Sequence, residues 1–298
     1  MTRNTPRLCF IGFGEAGQAL ASGLREAGVS VMAAWDILFP EPAGGRLKEA
    51  GAALGVRLAD SAADAVRDAD VVISAVTAAS SLQAAHSVHP HVAGQWFLDI
   101  NSVSPGRKQA TARLLGDSAR YVDVAVLAPI HPARHQTPML LAGPHAEAIA
   151  PILQDLAMRV SVAGQETGAA AAIKMVRSVM IKGMEALTYE CFVAAARAGV
   201  VDEVAASLRN NYPGLDWDKM IPYNLERMAN HGERRAAEME EVADTLRELG
   251  VEPQMAEATV ARQRAMGRLG KQDKVQATLK EGRAAMLNAI STAAREAH

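Results

Sequence analysis

The chain holds 298 residues, 49% apolar and 21% charged, the make-up of an ordinary globular protein with room for two domains. Its 31 basic and 33 acidic residues leave a formal charge of −2, which argues against a nucleic-acid surface or an anionic membrane as partner. No segment approaches a membrane span, and the opening MTRNTPR has no apolar h-region. The two cysteines, Cys9 and Cys191, sit in apolar runs. A cytoplasmic protein with both thiols reduced and buried as small hydrophobes is therefore expected.

Strand signals come in order at Arg7–Phe13, Val29–Trp35, Val56–Leu58, Asp70–Val76, Trp96–Ile100, Tyr121–Val126, Met139–Ala142 and Val160–Val162. Alanine-rich stretches with helical spacing separate most of them, over 15–27, 61–68, 80–89, 105–115 and 144–157. Asp60-Ser61, Thr77 and Ser104-Pro105 are the expected helix starts. Strands alternating with helices predict a mostly parallel sheet covered on both faces. After about residue 164 the pattern changes to one long helix ending at Gly199. Further helices are expected over 202–209, 217–230, 233–249, 253–269 and 274–296. The expected fold is α/β, a Rossmann-type doubly wound parallel sheet over 1–164 followed by an all-α domain over 165–298. A thin helical layer rarely buries its apolar faces alone, so that domain is also expected to form a homodimer.

The first strand runs into GFGEAG and then into a helix, the context that a glycine-rich dinucleotide loop needs. Gly12 permits the tight turn, Gly14 lets a pyrophosphate approach the backbone, and Gly17 lets the helix pack on the sheet. The helix N-terminus offers unpaired N–H groups and partial positive charge to the diphosphate. Asp36 ends the second strand, 22 residues after Gly14, where a carboxylate accepts hydrogen bonds from a ribose 2′-OH and repels a 2′-phosphate. NAD is favoured over NADP on that ground. Phe13, Glu15 and Ala16 in the loop, Val76 and Thr77 after the fourth strand, and Asn101 after the fifth complete the expected cofactor site.

Three further stretches carry a family resemblance: DINSVSP (99–105), VDVAVLAP (122–129) and GAAAAIKMVRS (168–178). With the glycine loop and the helical second half, they make the chain resemble the β-hydroxyacid dehydrogenase superfamily. That superfamily includes 6-phosphogluconate and 3-hydroxyisobutyrate dehydrogenases. HGERRAAEMEEVADTLRELGVEP (231–253) resembles a phosphogluconate dehydrogenase-like branch with its own helical domain. The resemblance implies a hydride transfer between a nicotinamide and a small-molecule substrate, with Lys174 as catalytic lysine. The departures are local. Leu127, Ala128 and Pro129 stand where the family has Ser-Gly-Gly, and Ser178 stands where it has an asparagine. Leu127 has no hydroxyl and Pro129 no N–H, so a larger or more apolar alcohol suits the site better than a small 3-hydroxy acid.

Lys174 is a charge inside AAAAIKMV, the pattern of a functional or snorkelling lysine. As a general acid/base it would need its pKa lowered from about 10.4 to about 7–8. Ser178, Lys182 and Glu185 follow on one helical stripe. Of these Ser178 is the expected partner of the lysine or substrate, while Lys182 reads equally as a substrate contact or, with Glu185, as a salt-bridged continuation of the stripe. Ser102 is the second candidate for orienting substrate. His131, Arg134 and His135 lie in the loop after the sixth strand; by the resemblance this loop faces the substrate and Arg134 could clamp a carboxylate, and by itself it reads equally as a surface loop. His231, Arg234 and Arg235 read either as ligand contacts or as a solvated face. HSVHPH (86–91) does not read as a metal site: no Cys, Asp or Glu lies in the run and Pro90 interrupts it. Two other readings stay open beside a dehydrogenase. One is an imine reductase, against which Lys174 counts; the other is a dinucleotide-binding sensor or scaffold without turnover.

Overall fold

The computed structural model describes residues 5–296; residues 1–4 and 297–298, the outer ends of the two expected domains, lie outside it. The chain divides into two compact units, the first running to Met175 and the second beginning at Val176. That division falls within the long helix, past the change of pattern near residue 164.

The first unit runs β1 (Leu8–Ile11), α1 (Glu15–Glu26), β2 (Met32–Trp35), α2 (Gly45–Ala53), β3 (Arg57–Leu58), α3 (Ala62–Val66), β4 (Val71–Ser74) and α4 (Ser81–Val88). It continues with β5 (Gln95–Asp99), α5 (Pro105–Leu115), β6 (Ala119–Val126), β7 (Met139–Ala142), α6 (Ala146–Asp155) and β8 (Val160–Gly164). The strands form one sheet in the order β3-β2-β1-β4-β5-β6-β7-β8. Every pairing is parallel except β6 with β7, so the sheet is mostly parallel. Alternate residues of β1 enter separate cores: Leu8 and Phe10 join one, Cys9 and Ile11 the other. A strand buried on both faces reads as a continuous apolar run, which is why LCFI shows no alternation.

All eight strand signals correspond to strands, with ends moved by a few residues. Ser61 caps α3, its Oγ accepting from Asp64 N at 3.1 Å. Ser104 caps α5, accepting from Arg107 N at 3.3 Å, with Pro105 in the first turn. Thr77 instead donates its hydroxyl to Ser80 Oγ at 3.1 Å and precedes a 3-10 turn. The sequence gives no signal for α2: Gly44-Gly45 and Gly51 speak for a loop, yet Gly51 is buried, and a Cβ there would lie 2.5 Å from Leu58 Cδ2.

α7 (Ala169–Ala198) opens in the first unit and runs on into the second. The second unit continues with α8 (Val201–Asn211), α9 (Trp217–Glu248), α10 (Gln254–Leu269), α11 (Asp273–Gln276) and α12 (Arg283–Glu296). Its core gathers Phe192, Trp217, Leu225, Met228, Met266, Met286 and Ile290. Two expectations change here. The helices expected over 217–230 and 233–249 are one helix, and the Gly232 between them marks a helix crossing. A Cβ on Gly232 would sit 2.3 Å from Gln263 O, so glycine lets α9 and α10 touch backbone to backbone. The helix expected over 274–296 is broken by Gly282, whose φ is +99°. Cys191, expected buried, is exposed, while Cys9 is buried.

Candidate coenzyme and catalytic site

Parallel strands end on one edge of a sheet, and that edge collects the residues singled out above. β1 delivers Gly12–Gly17, β2 delivers Asp36, β4 delivers Val76 and Thr77, and β5 delivers Asn101 and Ser102. The order β2-β1-β4 reverses direction at β1, the kind of crevice where doubly wound sheets hold ligands.

The glycine loop fits a dinucleotide. Gly12 has φ +92°, and a Cβ there would meet Ala75 O at 2.4 Å. A Cβ on Gly17 would meet Gly12 O at 2.7 Å, so only glycine lets α1 turn that close to the loop. Around Gly14 a Cβ would find nothing within 4 Å: the backbone is bare on that side, a cradle for a phosphate. No side chain caps α1 at Gly14, which keeps its positive end available. The Phe13 ring is fully buried and packs edge-on against Phe10 and Phe39, anchoring the loop from below. Burying that ring contributes on the order of 2–3 kcal/mol. Phe13 N donates to Asp36 Oδ2 at 2.7 Å, and Leu38 N donates to Asp36 Oδ1 at 2.9 Å. Asp36 thus braces the loop, and a carboxylate with one donor on each oxygen keeps lone pairs for a ribose. Glu15 and Thr77 are exposed, Ala16 and Val76 half-buried.

Asn101 is 5% exposed and acts as a bracket: its Oδ1 accepts from Val76 N at 2.7 Å and its Nδ2 donates to Ser74 Oγ at 3.0 Å. It ties the turns after β4 and β5 together. Ser102, half-buried beside it, accepts from Lys174 Nζ at 2.5 Å. Two residues separated by 72 positions in sequence therefore meet at the sheet edge. Gly168 makes the meeting possible: with φ +101°, a Cβ there would press on Pro105 Cβ at 3.1 Å.

A buried ionic cluster lies directly behind this contact. Lys108, 1% exposed, reaches Asp99 Oδ1 at 3.0 Å and Asp123 Oδ1 at 3.5 Å. Asp123 Oδ2 accepts from Gly168 N and Ala171 N, both at 3.1 Å, at the start of α7. Its Oδ1 is buried without a hydrogen bond. Burial pushes the Asp123 carboxyl above the usual range against the pull of Lys108. Tyr121 donates to Asp99 Oδ2 at 2.9 Å, and burial holds its phenol well above its ordinary value. Sequence reasoning missed this cluster. Its signal was present: a carboxylate in each of two adjacent apolar strands.

The remaining candidates fall elsewhere. Arg134 forms a bidentate pair with Glu26 on α1, both bonds at 2.6 Å, and reaches Ser22 Oγ at 3.2 Å. It is thereby committed to α1 rather than to a carboxylate clamp. His135 is buried over Gly23, where a Cβ would come within 2.0 Å of its Nδ1. Burial lowers the His135 pKa. At the family's Ser-Gly-Gly positions, Leu127 N donates to Pro138 O at 2.9 Å, and Ala128 and Pro129 are exposed. Within the second unit, Ser178 accepts from Lys182 Nζ at 3.3 Å, and Lys182 pairs with Glu238 at 3.0 Å rather than with Glu185. Burial lowers the Lys182 pKa. Glu185 is held by Arg235, by Gln263 Nε2 at 2.8 Å and by Arg227 Nε at 3.6 Å. Arg235 is therefore an interior residue, while Arg234 forms an exposed pair with Glu238 at 2.7 Å.

Sheet order, glycine loop and sheet-edge acid together define a Rossmann-type dinucleotide oxidoreductase fold. Residues 7–102 match the family described as NADP oxidoreductase, coenzyme F420-dependent, and residues 195–266 match a domain of unknown function, DUF1932. The crystal structure of a conserved hypothetical protein from Sinorhizobium meliloti is 35% identical, over 98% of this chain and 97% of that one, with a TM-score of 0.78. A conserved protein of unknown function, described as structurally similar to 3-hydroxyacid dehydrogenases, is 31% identical over 89% of this chain and 100% of its own, with a TM-score of 0.70. The 3-hydroxyisobutyrate dehydrogenase of Mycobacterium tuberculosis shares the fold at 18% identity, over 97% of this chain and 99% of that one, with a TM-score of 0.73. The chain belongs to the β-hydroxyacid dehydrogenase-like superfamily.

Proposed function

We propose that the protein is an NAD(P)-dependent oxidoreductase that moves a hydride between a nicotinamide and a hydroxyl/carbonyl substrate, with Lys174 as general acid/base. The observation that carries this reading is the Lys174–Ser102 contact of 2.5 Å at the sheet edge that also bears the glycine loop. The nicotinamide supplies the hydride acceptor or donor. Lys174 handles the proton: as a neutral amine it takes the hydroxyl proton during oxidation, and as an ammonium it returns it during reduction. Ser102 fixes the direction of the amine and can itself bond the substrate oxygen. Asp36 favours NAD, because a 2′-phosphate would face its carboxylate. The Leu-Ala-Pro run at 127–129, with no hydroxyl on Leu127 and no N–H on Pro129, favours a substrate larger or more apolar than a small 3-hydroxy acid.

Hydroxy acids and aryl or alkyl alcohols, screened by nicotinamide absorbance, should reveal turnover. Lys174→Ala should remove it while leaving nucleotide binding intact. Full turnover in that variant refutes the acid/base role; nucleotide binding without turnover on any alcohol would favour a sensor or scaffold instead.

We further propose a homodimer through the helical unit. Along α7, Val176, Met180 and Leu187 are exposed at 46%, 66% and 53%, and Cys191 continues the same stripe. Their spacing of four, seven and four residues makes an apolar seam, which a second copy of the same helix would cover. Sedimentation at micromolar concentration should give a dimer; a monomer overturns it. No helix among the described residues is long and apolar enough to cross a membrane. The unpaired thiols of Cys9 and Cys191 fit a reducing compartment such as the cytoplasm.

A further inference from the structure

Asp99 and Asp123 are register partners on β5 and β6, and both are 1% exposed or less. Like charges directly opposite one another work against a sheet, and a buried ion needs a partner. The partner comes from a different element. Lys108 on α5 extends its amine between the two carboxylates and also donates to the main-chain oxygens of Asp99 at 2.5 Å and Val124 at 3.4 Å.

Each carboxylate also holds backbone. Asp99 Oδ1 accepts from the N–H of Asn101 at 3.0 Å, one residue before Ser102. Asp123 Oδ2 accepts from Gly168 and Ala171, six and three residues before Lys174. One amine is therefore paired with two acids, and each acid is hydrogen-bonded to one of the two segments that present the Ser102–Lys174 pair.

We propose that Lys108 is a positioning residue: its buried amine ties the turn bearing Ser102 to the helix start bearing Lys174 and so sets their contact. The significance of that contact rests on the acid/base reading of Lys174, but the tie itself is measurable without turnover. Lys108 touches neither Ser102 nor Lys174 through any of these bonds, so it acts through Asp99, Asp123 and the main chain beside them.

The test uses the full chain as Lys108→Met and as Lys108→Met combined with Asp123→Asn. The double variant removes one carboxylate charge along with the amine, so its fold does not carry two uncompensated acids. Two readouts are taken on the double variant and compared with Asp123→Asn alone, so that the difference belongs to the amine, with the melting temperature as a check on the fold. The first is amide hydrogen exchange. Asn101, Gly168 and Ala171 should exchange at least tenfold faster in the double variant than in Asp123→Asn, while Phe13 N–H, held by Asp36, stays unchanged. The second is competitive acetylation with acetic anhydride. Lys174 should label at least threefold faster relative to exposed Lys48 and Lys219. Unchanged exchange at those amides, or a Lys174 labelling rate that stays level or falls, overturns the tie. Turnover retained in Lys174→Ala would remove the acid/base role and leave these results standing, so the two readings fail separately.

Discussion

The two units each bury an ionic cluster, and the clusters are built in opposite senses. In the first, one cation faces two carboxylates: Lys108 against Asp99 and Asp123. In the second, one carboxylate faces two cations and an amide: Glu185 against Arg235, Arg227 and Gln263. Glu185 is over-supplied and simply staples α7, α9 and α10 together. The first cluster is short of positive charge. Asp123 keeps one oxygen without a hydrogen bond and gives the other to the main chain of α7. A cluster short of partners is a poor staple, but it makes the placement of one helix depend on one amine.

The largest expected effect breaks the staple. Glu185→Ala leaves Arg235 buried without its acid and should cost about 3–5 kcal/mol in urea unfolding. A loss below about 1 kcal/mol would mean the guanidinium finds water, and the two clusters would not differ as described.

Lys108→Met should cost nearly as much at neutral pH, but its cost should depend on pH. The folded-state pKa of Asp123 is raised, so its contribution to stability is fully present below its unfolded value and is lost as pH rises through the folded value. Removing the amine raises that pKa further and extends the loss upward. The destabilisation of Lys108→Met relative to the parent should therefore grow from pH 4 to pH 7. A Lys108→Met cost that stays level or shrinks over that range would mean that the amine does not hold the Asp123 carboxyl in its charged form.

The smallest effect is at an exposed pair. Arg134 and Glu26 are bonded bidentately, yet their side chains are 32% and 61% exposed, and solvent screens them. Arg134→Ala should leave the urea midpoint unchanged within error, in contrast to both buried clusters. A clear loss would show that the loop after β6 is held by this pair rather than by His135 over Gly23.

Much of the candidate site is legible in the sequence. The glycine loop, Asp36 and Lys174 each stood out by violating their surroundings: glycines ending an apolar run, an acid ending a strand, a charge among alanines. Lys108 did not, because α5 carries other polar residues and a lysine there looks like solvated surface. Arg134 and His135 misled for the converse reason. Polar residues in a loop suggest a ligand, and only packing shows that they turn back onto α1.

The sequence alone determined what short-range physics writes into it. The strand-helix alternation, the caps at Ser61 and Ser104, the bare Gly14 and the end of α7 at Gly199 follow from local backbone preferences and the periodicity of apolar residues. Tertiary structure decided what depends on residues far apart in the chain. It fused two expected helices into α9 because Gly232 meets α10, and it placed Lys174 against Ser102. It also set Lys108 between two acids that neighbouring strands bring side by side. These are contacts between different elements, from 9 positions apart for Lys108 and Asp99 to 72 for Lys174 and Ser102. Periodicity along one element carries no information about which other element its polar atoms will meet.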